Sequence, residues 1–158
     1  MAQQLSKGIK QTAVYGVTTT TANSTLYSDY VDMANYNGCM FTFLFKSTGA
    51  STGTAALTIV AADASTTAAA SYAAISGAAV TVTNSTTADD ARLASIDVYY
   101  PQHRYLRALC VKKEMLLLQG VIAQQYDPRV EPAGDSTTLA AATAAACKVT
   151  VAMDSTST

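Results

Sequence analysis

The run Gly-Cys-Met-Phe-Thr-Phe-Leu-Phe-Lys at 38–46 constrains this chain more than any other segment. In an extended backbone successive side chains point to opposite sides, so Cys39, Phe41, Phe43 and Phe45 share one face while Met40, Thr42, Leu44 and Lys46 share the other. A helix would scatter the three phenylalanines of the chain around its circumference. A strand aligns them toward one core. The segment is predicted to be a strand with an aromatic inner face.

Other segments repeat this alternation between turn-forming residues. Residues 55–62 read as a strand leaving a Gly- and Ser-rich loop. Residues 78–84 alternate Val80 and Val82 with Thr81 and Thr83, and residues 92–100 alternate Ile96, Val98 and Tyr100 with Ser95, Asp97 and Tyr99, each giving a core face and a wetter face. Pro101 ends the latter strand. Residues 104–113 resume in extended form and, after a charged turn at Lys112, Lys113 and Glu114, residues 114–126 follow as the expected hairpin partner. Leu and Gln leave a helix as the alternative for 114–126, with Gly120 and the Val121-Ile122 pair favouring strand.

Beyond Pro132 the pattern weakens. Residues 132–146 are Ala- and Thr-rich and are expected to form an arm, the alternative being a short helix capped by Ser136 or Thr137. Cys147, Val149, Val151 and Met153 then alternate in a last predicted strand. Strands at roughly 10- to 12-residue spacing without intervening helices predict an all-β fold, a β-sandwich or jelly roll. The expected organisation is a single domain: an N-terminal arm at 1–12, the sandwich at 13–131, and a C-terminal arm with the last strand at 132–158.

Charge is scarce. Charged residues make up 13% of the 158, the net charge is -1, and 49% are hydrophobic. That balance lacks the basic footprint required by a phosphate backbone, so nucleic acid is not an expected partner. No stretch approaches the roughly 18 apolar residues of a membrane-spanning helix, and the first residues lack a signal-peptide core, so synthesis in a cytoplasm and no membrane partner are expected. So little charge predicts that much of the surface meets other protein. Cys39, Cys110 and Cys147 are widely spaced among apolar residues, and are expected as buried thiols, one bridge being the alternative.

Candidate chemistry is sparse as well. His103 is the single histidine, and no nucleophile motif or metal-ligand spacing accompanies it. Asp89, Asp90 and Asp97 are carboxylates without the register of an EF-hand, and the Gly-Ala-Ser-Thr-Gly loop lacks the lysine of a phosphate-binding loop. The sequons at Asn23 and Asn84 follow from a Ser/Thr-rich composition. No catalytic residue, cofactor or metal is expected. The nine tyrosines are more informative: Tyr27, Tyr30, Tyr36, Tyr99 and Tyr100 are the candidate interface residues, because a rigid ring with a hydroxyl suits protein contacts.

Three segments together, TLYSDYVDMANYNGCMFTFLFKSTG, IDVYYPQHRYLRALC and GVIAQQYDPRVEP, carry a resemblance. In order they span residues 25–132 and resemble small β-sandwich virion proteins of tailed bacteriophages, of the head decoration (cement) type. The resemblance implies a capsid-associated subunit on the virion surface, made in the host cytoplasm, and the lack of catalytic motifs adds the expectation that it is not an enzyme. Its implied partners are the major capsid protein and further copies of itself, in a dimer or trimer. The alternative is a receptor- or carbohydrate-binding module of a phage tail or fibre, with tyrosines as stacking platforms.

Overall fold

Phe41, Phe43, Phe45 and Cys39 are fully buried, on the face the alternation assigns to them. The computed structural model describes residues 8–16, 23–48, 53–66, 68–83, 91–113 and 116–129. Within these the chain forms β1 (Lys10–Tyr15), β2 (Ser24–Asp32), β3 (Tyr36–Ser47), β4 (Thr54–Ala62), β5 (Ala73–Thr83), β6 (Ala91–Tyr99), β7 (Tyr105–Lys113) and β8 (Leu116–Pro128), with one short 3-10 turn at Ala69–Ser71.

Two four-stranded antiparallel sheets result, in the orders β1-β8-β3-β6 and β2-β7-β4-β5. The pairs β1–β8, β2–β7, β3–β6 and β4–β5 are those of one long hairpin whose tip lies between β4 and β5. Rolling that hairpin adds the pairs β3–β8 and β4–β7 and lays successive pairs in alternate sheets. This is the jelly-roll course, and the all-β sandwich expected from the sequence is the fold. Its core lies between the sheets: the phenylalanines with Leu118, Val121 and Ala123 from one, and Leu57, Ile59, Leu106 and Cys110 from the other.

Four expectations need correction. Residues 104–113 and 114–126 are not hairpin partners. β7 pairs with β2 and β4, whereas β8 pairs with β1 and β3 in the other sheet. The two strands lie in different sheets, and a short connection in sequence looks the same in either case. Lys112, placed in the turn by the sequence, continues the inward row Leu106, Ala108 and Cys110 of β7 and is buried, which lowers its pKa through desolvation. The proposed arm at 1–12 overlaps β1, where Lys10, Gln11 and Thr12 pair with Gln125, Gln124 and Ala123. Tyr100 does not extend the inner row of β6: the strand stops at Tyr99, and Tyr100 turns away with φ 50. The expected arm at 132–146, the strand at 147–153 and Cys147 lie outside the described residues.

Candidate contact surface

Gly38 organises the outer face of the β1-β8-β3-β6 sheet at one end. It is paired with Tyr99 of β6 on one side and Tyr126 of β8 on the other. With no side chain between them, the two rings lie parallel, 6.0 Å apart at an interplanar angle of 5°. Tyr100 packs edge-on against Tyr99 at 4.4 Å, anchored by its backbone N–H donating to the Asn37 carbonyl at 2.7 Å.

The hydroxyls of Tyr126 and Tyr99 each end on a carboxylate. The Tyr126 hydroxyl donates to Asp97, 2.8 Å from both carboxylate oxygens. The Tyr99 hydroxyl donates to Asp127 Oδ2 at 2.7 Å, which also accepts from Asn37 Nδ2 at 3.1 Å. Arg129 Nε closes the chain by donating to Asn37 Oδ1 at 3.0 Å. A carboxylate that accepts a phenol O–H stabilises the neutral phenol. Burial first and the Asp97 bond second push the Tyr126 phenol up to about 12, and the bond to Asp127 raises that of Tyr99. These tyrosines are hydrogen-bond donors throughout the physiological pH range.

The same face carries exposed apolar side chains toward its other end, separated from Tyr99 along β6 by Ser95 and Asp97. Leu93 and Leu44 are cross-strand partners, 67% and 43% exposed, and Ile122 beside Thr42 is 46% exposed. From Leu93 to Tyr99 along β6 the strip extends about 20 Å at roughly 3.4 Å per residue. Large apolar side chains clustered as Leu44, Leu93 and Ile122 are, rather than scattered singly, mark a surface that meets another surface.

The five candidate tyrosines do not form one patch. Tyr99 and Tyr100 are exposed, at 53% and 62%, on this face. Tyr27 and Tyr30 stand on β2 in the opposite sheet. There Tyr27 and Tyr72 flank the Arg107 guanidinium at 4.9 and 5.7 Å, and Tyr30 meets Tyr105 edge-on at 5.5 Å. Arg107 Nε also donates to the Ser28 carbonyl. Tyr36 is no surface residue: it is 4% exposed and belongs to the core. The register of β3 with β8 runs unbroken from Tyr36 to Leu44, yet Tyr36 and Gly38 are buried although they share parity with Met40, Thr42 and Leu44, so burial at this end of the strand does not follow the alternation counted from the phenylalanines. Sequence reading missed Gly38, Asn37, Tyr126 and Asp127. Asp97 and Tyr99 were legible as neighbours on one face, but nothing in the sequence signals which strand lies beside them.

His103 Nδ1 shares a 2.8 Å hydrogen bond with Asp63 Oδ1, and Arg104 binds Asp32 through Nε and Nη2, both at 2.8 Å. His103 and Arg104, with Pro101 and Arg129, border a shallow depression of about 230 Å³. The thiols of Cys39 and Cys110 are free and buried, pushed up by desolvation to about 12 and about 11, so neither is a thiolate at neutral pH. Among the described residues no group of three or more His, Cys, Asp or Glu is placed to hold a metal ion. No helix of the described residues is long and apolar enough to cross a membrane.

No protein-family model matches the chain, and no curated protein matches it. Among solved structures it is similar to the crystal structure of the PBSX exported protein XepA, at 14% identity and a TM-score of 0.46. The match covers 98% of this chain and 46% of that one, so the chain spans less than half the length of that protein.

Proposed function

We propose that the chain is a non-enzymatic structural subunit of a phage virion, a decoration protein that attaches to the major capsid protein on the head surface. The observation that carries this reading is the outer face of the β1-β8-β3-β6 sheet. It presents exposed Leu44, Leu93 and Ile122 and, beyond Ser95 and Asp97, the exposed rings of Tyr99 and Tyr100, an apolar cluster with an aromatic end that suits a protein contact. The resemblance over residues 25–132 supports the virion setting.

Attachment acts by buried area. A subunit laid across neighbouring capsid proteins adds contacts that must break before the shell can open, so it raises the barrier to rupture. Heads assembled without the chain should reach normal size and release DNA at a lower temperature than complete heads. Equal heat stability combined with failure to adsorb to cells would replace decoration with the receptor- or carbohydrate-binding reading. The specific support for that second reading is the pair Tyr99 and Tyr100, whose exposed rings sit beside the hydrogen-bonding groups of Asp127 and Asn37.

A further inference from the structure

A sheet in a sandwich leaves two edges with unpaired backbone groups, and proteins protect such edges with charged side chains or bulges. The four edges here are β1 and β6 in one sheet and β2 and β5 in the other. Three carry charge: Lys10 on β1, Arg92 and Asp97 on β6, Asp29 and Asp32 on β2. β5, Ala-Ala-Ile-Ser-Gly-Ala-Ala-Val-Thr-Val-Thr, is the longest of the four at 11 residues and carries none.

Its first half is protected in another way. Between the pairs Val60–Ala74 and Thr58–Ala79 the register shifts, and Gly77 adopts φ +81 in the bulge. Only Gly takes this conformation without strain. From Ala79 to Thr83 the register with β4 is unbroken, so among the described residues this half of the edge carries neither a bulge nor a charge. It is also poorly covered: Ala78 is the single buried residue of β5, and Val80 on the core side is 37% exposed.

We infer that β5 is a homodimerisation edge, pairing antiparallel with β5 of a second copy through residues 79–83 to join two sheets into one of eight strands. A two-fold axis at Thr81 sets Thr81 against Thr81, Ala79 against Thr83 and Val80 against Val82 of the other copy. Thr81 then meets Thr81 and small Ala79 meets Thr83 on the outer face, and the exposed flank of Val80 is covered by Val82 of the other copy on the core side. A strand without charge offers a charged partner nothing to read, and among the described strands β5 is the one that is both uncharged and on an edge. An isologous contact of this kind closes at two copies. The inference rests on the edge alone and stands or falls separately from the virion reading.

The test is sedimentation of the full chain with one edge residue changed. Wild type should sediment as a dimer at micromolar concentration and Thr81→Lys as a monomer with unchanged far-ultraviolet circular dichroism, since a lysine at an exposed edge position blocks pairing but not the fold. In a Cys147→Ser background, Thr81→Cys should form a disulfide-linked dimer on oxidation, because two-fold mates sit about 4.5–5.5 Å apart at Cα. Thr25→Cys on the β2 edge should not. This pair decides the matter even if Thr81→Lys fails to fold. A wild-type monomer, a dimer unaffected by Thr81→Lys, or equal cross-linking at Thr25 overturns the inference. So does a monomer whose β5 amides resist hydrogen exchange, which would assign the edge to cover by another part of the same chain.

Discussion

The ring of Tyr126 occupies the space a side chain at Gly38 would need: a Cβ there would lie 2.2 Å from Tyr126 Cζ. The obstacle is the far end of a side chain, so Gly38→Ala does not force the backbone apart. It displaces the Tyr126 ring from the stack with Tyr99 and from Asp97. The substitution should cost about 1–3 kcal/mol in denaturant titration. In a spectroscopic titration one tyrosine should move from about 12 toward the ordinary value near 10. A substitution with no effect on either would show that the ring does not lie on Gly38 in solution.

Phe43 is fully buried at the centre of β3, stacked near Phe45 with centroids 6.5 Å apart. Phe43→Ala should destabilise the fold by about 3–5 kcal/mol through the cavity it leaves. Thr42 faces outward with its hydroxyl 3.3 Å from that of Ser95, and Thr42→Ala should cost less than about 1 kcal/mol. Denaturant titration of the two variants separates the faces of the strand.

These two positions also show what the sequence could and could not tell. The inner face of β3 was readable because four inward residues follow one period without interruption. Tyr36 was not, because at this end of β3 residues of both parities are buried, and alternation alone does not say where a neighbouring element covers the outer side. The placement of β7 and β8 in different sheets was hidden for a related reason. Hydrophobic pattern says that each strand has a core face, while sheet membership depends on which distant strand supplies the ladder. The tyrosine–carboxylate cluster draws on β3, β6 and β8 and the turns beside them, and only the rolled-hairpin topology brings those strands side by side.

Arg104 holds the Asp32 carboxyl below its usual value through paired hydrogen bonds. A depressed carboxylate pKa contributes stability that is present above the unfolded-state value near 4 and is lost as pH falls through the lower folded value. Asp32→Asn should therefore lower the melting temperature at pH 7 and converge with wild type in acid. Both side chains are partly exposed, so the difference at pH 7 should stay within about 1 kcal/mol. Thermal melts of both proteins from pH 7 down to pH 2 provide the check.

Cys39 and Cys110 should resist alkylation in the native chain at pH 8 and react fully in denaturant, because both are buried with raised pKa values. Peptide-resolved mass spectrometry reads each thiol separately. Rapid native labelling of either one would mean that the sandwich opens far more often than a packed core allows.

The most direct measurement is co-sedimentation of the purified chain with phage heads that lack it. The proposed function predicts that wild type binds at saturating stoichiometry. It also predicts that Leu93→Glu, which places a charge in the exposed strip without touching the core, weakens binding at least tenfold while leaving the fold intact by circular dichroism. No binding of the wild type to heads, or binding unchanged by Leu93→Glu, would contradict attachment through this face.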